Sequence, residues 1–167
     1  TAAIMAGIVH IMTRRHERLR AELEVAATTD PLTALLNRRA FLPWLERALE
    51  EAEAEDGPLS VVMLDLDHFK TINDRLGHFG GDRVLMAVAA AMRSESRAGD
   101  VLCRYGGEEF AVGLLGAGVA EARAYASRVA AALASAGVAE GCTLTTSAGI
   151  ACRTAGATVE SLLHEAD

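Results

Sequence analysis

Residues 104–110 read Arg-Tyr-Gly-Gly-Glu-Glu-Phe, and this heptad constrains the fold more than any other stretch of the chain. Two consecutive glycines can carry the backbone through φ > 0 without steric cost. Two carboxylates follow at the tip of the turn. The flanks are strand-like: Val101, Leu102 and Cys103 precede the heptad's turn, and Phe110, Ala111 and Val112 follow it. The pattern predicts a β-hairpin with adjacent acids at its bend, which suits a divalent cation. A plain solvated turn has the same composition, so the decision rests on the acidic and glycine-rich segments upstream.

At 167 residues the chain is long enough for one well-buried core. Apolar residues make up 51% and aromatic residues only 4%, so that core must be aliphatic and rich in alanine. The net charge of −7, from 16 basic and 23 acidic residues, argues against a nucleic-acid partner, which would require a basic face. It does not argue against a nucleotide whose phosphates are met by metal. Cys103, Cys142 and Cys152 show no CxxC spacing and fall in apolar segments. They read as reduced core residues of a cytosolic domain.

Residues 1–29 read as a linker or signalling helix ahead of a domain spanning 30–167. Residues 2–12 are apolar apart from His10, and Arg14 and Arg15 follow. The run is shorter than the about 20 residues a bilayer requires. Two readings stand. It is the inner end of a membrane helix with the arginines on the cytoplasmic side, or it is part of a soluble helix. Met12, Leu19 and Ala26 recur every seventh residue, with Leu23 beside them, as in one strand of a parallel coiled coil. A lone amphipathic helix lying on the domain fits equally well.

Asp30-Pro31 reads as an N-cap followed by proline at the first helical position. A helix is expected over 38–55, with Phe41, Leu45 and Leu49 on one face and Gly57-Pro58 as its stop. Residues 59–64 form a continuous apolar run, the mark of a strand buried on both faces. Helices over 69–76 and 81–97, the hairpin, a helix over 119–135, a strand over 143–151 and a helix from 158 follow. This βααββαβ order predicts an α+β fold, its sheet mainly antiparallel or mixed and flanked by helices.

Strand 59–64 runs directly into Asp65-Leu66-Asp67. Asp65 and Asp67 share a face if the strand stays extended. Pairing of the hairpin beside this strand would bring Asp65 towards Glu108. Mg²⁺ takes hard oxygen ligands, often carboxylates plus substrate phosphates, and Asp65, Glu108 and Glu109 meet that requirement. Asp67 reads more readily as a cap for the next helix. That helix opens at His68-Phe69-Lys70, where free amides and the Lys70 charge suit a phosphate. Asn73 follows, and Asp82 lies beyond the turn Gly77-His78-Phe79-Gly80-Gly81. A carboxylate accepts from both N1–H and the 2-amino group of guanine, and an amide adds a further bond. On composition alone, Asn73 and Asp82 would also serve as helix caps.

Five segments in this order, DPLTALLNRRAF (30–41), DLDHFKTIND (65–74), GHFGGD (77–82), RAGD (97–100) and RYGGEEF (104–110), resemble the GGDEF domain of bacterial diguanylate cyclases in its GGEEF variant. The resemblance spans about residues 28–167. It implies a ferredoxin-like palm of the nucleotidyl-cyclase type. It also implies roles for individual residues. Asp65, the Leu66 carbonyl, Glu108 and Glu109 match metal positions for Mg²⁺ or Mn²⁺, Glu109 alternatively activating a 3′-hydroxyl. Asn73 and Asp82 match the guanine readers, and Leu32, Phe69 and Leu85 match the walls around the base. The His68 and Phe69 amides and Lys70 match the phosphate contacts. Gly106 and Gly107 match the glycines that let the backbone approach the nucleotide. Arg97 and Asp100 match an RxxD inhibitory site for product, with Arg128 as a second contact. RxxD also reads as an i, i+3 salt bridge at a helix end.

The implied reaction condenses two GTP into cyclic di-GMP and two pyrophosphates in a C2 homodimer, by a two-metal route. The implied location is a cytoplasmic catalytic domain, of an inner-membrane protein if the upstream segment enters the bilayer. The family continues past the final Ala-Asp with a helix whose lysine meets the terminal phosphates. Ala166-Asp167 is therefore expected to be a truncated C-terminal end, with weaker GTP binding than the parent. A degenerate domain that binds nucleotide without turnover is the competing class, although Asp65, Glu108 and Glu109 are all present.

Overall fold

The structure is a computed structural model that describes residues 10, 12–18, 25, 27–136 and 144–167. Residues 12–18 are helical, and Met12 is exposed there. Leu19, Leu23 and Ala26 of the heptad pattern, most of the 2–12 run and Cys142 lie outside the described residues. Among the described residues, no helix is long and apolar enough to cross a membrane.

The core is a five-stranded sheet: β1 (Leu36–Asn37), β2 (Leu59–Leu66), β3 (Val101–Arg104), β4 (Glu109–Leu115) and β5 (Thr146–Cys152). Their spatial order is β1-β3-β4-β2-β5. Three of its pairings are antiparallel, and β1 runs parallel to β3, so the sheet is mixed. Four helices cover it: α1 (Arg38–Ala54), α2 (Phe69–Glu95), α3 (Val119–Ser135) and α4 (Val159–Ala166).

The centre of the sheet is β2, and every residue in it except Asp65 is buried. Side chains alternate across a strand. Val62, Leu64 and Leu66 accordingly join the cluster made with α2 and α3. Val61 and Met63 join the cluster made with α1 and α4. At about 25 cal/mol per Å² of apolar surface removed from water, this two-sided burial is the main source of stability.

The structure corrects several boundaries. Asp30 caps no helix: residues 31–33 form a turn, and Asp30 Oδ1 accepts from the Thr33 amide at 2.8 Å and hydroxyl at 2.7 Å. The cap of α1 is Asn37, whose Oδ1 accepts from the Ala40 amide at 3.0 Å. A side-chain acceptor satisfies one of the open N–H groups at a helix start, and the aspartate spends its own on the preceding turn. β2 extends to Leu66, so Asp65 lies inside the strand. β5 begins at Thr146, and the helices expected over 69–76 and 81–97 form one element broken at Gly77, with φ 69° and ψ 171°. Cys103 is fully buried and Cys152 only half-buried. Burial pushes the Cys103 thiol up to about 12; the Asp30 charge adds to this and Arg38 opposes it.

α4 seats directly on β5 at Gly149, where a Cβ would collide with the main-chain carbonyl of Ala166. Backbone yields less readily than a side-chain tip. Gly149→Ala is expected to destabilise the domain by about 1–3 kcal/mol in urea unfolding, the usual cost of overpacking. Gly57→Ala, with open space around the added methyl, should stay within about 0.5 kcal/mol.

Candidate functional site

The predicted residues gather at one end of the sheet, where β2 leaves it and the β3–β4 hairpin turns. The β2–β4 register sets Asp65 opposite Glu109. Directly opposed residues project to the same face with Cβ atoms about 4.5–5.5 Å apart. Both line an open cavity of about 210 Å³ with Met63, Ser147 and Asp167. Glu108 arrives through its main chain: its carbonyl accepts from the Leu66 amide at 3.3 Å. The carboxylate directly opposite Asp65 is thus that of Glu109, where the sequence pointed to Glu108. Among the described residues no three acids, imidazoles or thiols already form a metal cluster. The oxygen donors here, Asp65, Glu109 and the neighbouring Glu108, are hard and fit Mg²⁺ or Mn²⁺.

The hairpin turns differently from expectation. Neither Gly106 nor Gly107 has positive φ. The Tyr105 and Gly106 amides both donate to the Glu109 carbonyl, at 2.8 and 3.1 Å, and this closes the turn. A Cβ on Gly106 would meet the tip of the Glu109 side chain, so the carboxylate occupies the space this glycine leaves. A Cβ on Gly107 would meet nothing within 4 Å, so the tip of the hairpin is open to a ligand.

Sequence reasoning missed the clamp on this turn. Arg104 donates to the Gly107 carbonyl from Nε at 3.2 Å and Nη2 at 2.8 Å. Its Nη1 reaches both Asp30 oxygens at 3.1 and 3.2 Å. Arg104 and Asp30 are 74 residues apart, and no local pattern announces such a contact.

Past β2, the Asp67 amide donates to the Thr145 carbonyl at 3.1 Å and its carboxylate accepts from Ser147 at 2.7 Å. Hydrogen bonds from Thr145 and Ser147 hold this carboxyl below the usual range. Asp67 therefore ties β2 to β5 and does not cap α2. The α2 cap is His68, in the left-handed region at φ 58°, with no side-chain cap bond. The first-turn amides at Phe69 and Lys70 thus have no side-chain acceptor, which is the condition for anion binding. Lys70 is exposed beside them.

The break at Gly77 kinks α2. A Cβ on Gly81 would collide with Asn73 Oδ1 and also crowd Phe69. Asn73 Oδ1 therefore lies against the backbone at Gly81, the residue before Asp82. Phe69 and Leu85 are buried in one cluster, and Leu32 packs against it.

Arg97 and Asp100 lie beyond the opposite end of β3, about 13 Å along the strand. Asp100 Oδ2 accepts from the Arg97 amide at 2.7 Å, and Oδ1 lies 3.5 Å from Arg97 Nη2. The i, i+3 salt bridge is present. Arg128 nevertheless lines the same cavity of about 160 Å³, with Glu121 and Tyr125. Glu95 holds Arg128 at 2.9 Å.

The clamp makes a pH prediction. Burial raises the Asp30 carboxyl, but hydrogen bonds from Thr33 and Arg104 outweigh it, and the group titrates below its usual range. Its contribution is therefore complete above about pH 3.9, the ordinary Asp value, and is lost as pH falls through the lower folded value. Unfolding curves between about pH 2 and 6 should show Asp30→Asn losing stability at the upper end and converging with wild type at the lower. Parallel curves would remove the clamp from the acid response.

Residues 27–167 match the family described as diguanylate cyclase, GGDEF domain. Diguanylate cyclase DgcP of Pseudomonas aeruginosa is 38% identical over 144 residues, 84% of this chain and 22% of that protein. Diguanylate cyclase TpbB of the same species is 41% identical over 152 residues, 88% of this chain and 35% of its own. The chain thus spans about a fifth of the first and a third of the second. The crystal structure of the coiled coil and GGDEF domain of DgcB from Caulobacter crescentus, in complex with c-di-GMP, superimposes with a TM-score of 0.85 at 31% identity. The match covers 98% of this chain and 90% of that one. A family match over most of the sequence and a shared fold at this identity lead to one conclusion: the chain belongs to the GGDEF domain family.

Proposed function

We propose that residues 30–167 form the catalytic domain of a diguanylate cyclase that condenses two GTP into cyclic di-GMP and two pyrophosphates, with residues 1–29 as its leading signalling helix. The observation that carries the reading is the β2–β4 register. It opposes Asp65 and Glu109 at the sheet end next to the start of α2, which has no side-chain cap, and Asn73 lies against Gly81, the residue before Asp82.

In this reading Asn73 and Asp82 hold the guanine edge while Leu32, Phe69 and Leu85 border the base. The His68–Lys70 segment takes the triphosphate through its amides and the Lys70 ammonium. Asp65, Glu108, Glu109 and the Leu66 carbonyl hold Mg²⁺ or Mn²⁺, which when bound supplies charge neutralisation on the phosphates. Gly106 and Gly107 let the hairpin backbone approach the nucleotide. The 3′-oxygen of one GTP bonds to the α-phosphorus of the other as the α–β bond breaks and pyrophosphate leaves, and the hydroxyl proton passes to a base, the role Glu109 takes in this reading as the alternative to holding metal. The product has twofold symmetry, so two domains meet face to face. Catalysis is then mostly positioning and electrostatics.

Incubating the protein with GTP and Mg²⁺ and identifying the product tests this directly: cyclic di-GMP is expected, and nucleotide binding without turnover would favour the degenerate class. Glu108→Ala should lower turnover more than about 100-fold while the melting profile stays intact. Activity within a few-fold of wild type would take Glu108 out of the site. Asp82→Ala should raise KM for GTP and weaken discrimination against ATP, because an unmade buried polar contact is costly.

The DgcB structure holds c-di-GMP, and the cavity shared by Arg97, Asp100 and Arg128 supports a product site in this chain. Guanidinium groups suit phosphate and the carboxylate suits guanine N–H donors. Arg97→Ala should leave the initial velocity nearly unchanged and delay the decline as product accumulates. Equal binding of cyclic di-GMP to wild type and variant would return the pair to a structural salt bridge.

A further inference from the structure

Phe79 is 89% exposed, more than any other large apolar side chain among the described residues. Leaving a phenyl ring in water gains nothing for the fold. Its position is specific. It opens the second limb of α2, just past the Gly77 break and three residues before Asp82. Residues three apart on a helix are neighbours, with Cβ atoms about 5–6 Å apart. Three residues beyond Asp82 comes Leu85, only 2% exposed and in the cluster with Phe69. Asp82 therefore stands between an exposed aromatic ring and a buried aliphatic wall, with the Asn73 amide against the adjoining Gly81.

Hydrogen bonds between the base and the Asn73 amide and Asp82 carboxylate read the edge of a base in its own plane. They leave its faces uncovered. A flat apolar ring is the group that covers such a face. We propose that Phe79 stacks on the purine held by Asn73 and Asp82 and closes the outer side of a pocket whose inner wall is Phe69 and Leu85. The inference rests on the guanine reading above and adds an affinity determinant to it. Every purine has a π-face, so stacking is tolerant of base identity. Phe79 then contributes affinity, while Asp82 chooses the base.

The test is calorimetric binding of 3′-deoxyGTP and 3′-deoxyATP, which lack the attacking hydroxyl, to wild type, Phe79→Ala, Phe79→Trp and Asp82→Ala. Replacing so exposed a side chain leaves folding intact, and circular dichroism checks this. Phe79→Ala should weaken both nucleotides at least about fivefold, leaving their ratio unchanged. Phe79→Trp should retain affinity and show indole quenching on binding that wild type, whose one tryptophan is Trp44, does not. Binding by Phe79→Ala within about twofold of wild type overturns the inference. The same holds if that variant loses only turnover, and only at low protein concentration, which would make Phe79 a contact with a second copy. Failure of wild type to bind, or an unchanged base preference in Asp82→Ala, overturns the guanine reading itself and this inference with it.

Discussion

Pairing of β2 with β4 is the constraint on which the rest depends. Side chains along β2 alternate between two clusters, one under α2 and α3 and the other under α1 and α4. A slip of one residue would move each set to the wrong face. It would also separate Asp65 from Glu109 and carry the Glu108 carbonyl away from the Leu66 amide. The hydrophobic register and the functional register are therefore one register. Core packing sets the two acids opposite each other, and the Arg104 clamp holds the turn beside them.

That arrangement works against the repulsion of its own charges. Like charges directly opposed across a sheet are destabilising, and Asp65 and Glu109 are so opposed. Burial of the neighbouring strand positions holds them together. Around the pair, local conformations also depart from their easiest forms. His68 occupies the left-handed region without being glycine, and α2 opens without a side-chain cap. Departures of this kind gather where a fold serves something beyond its own stability.

The parts legible in the sequence were those governed by period and punctuation. The unbroken apolar run ahead of Asp65 marked a strand buried on both faces, and the spacing of apolar residues gave α1 and α3 nearly to their ends. The glycine-rich stretch 77–81 read as a turn between two helices, but only Gly77 leaves the helical conformation. The parts that were not legible depend on distant partners. Asp30-Pro31 has the form of a helix cap, but Arg104 and Thr33 take the carboxylate, and Asn37 caps the helix. Asp67 has the look of a cap too, but Ser147, 80 residues away, holds it. The two residues of β1 were too few to show a period. The double glycine announced a turn correctly but for another reason: Gly106 makes room for a carboxylate, and neither glycine needs positive φ.

Cys103 lies in β3 between β1 and β4, one residue before the arginine that grips the hairpin. It is fully buried, and its thiol is pushed up to about 12. Near neutrality roughly one such thiol in 10⁵ is ionised, and only the thiolate attacks an electrophile. Alkylating reagents and mild oxidants therefore pass over it for as long as β3 stays in the sheet. Its modification rate becomes a clock on the opening of the strand that carries Arg104.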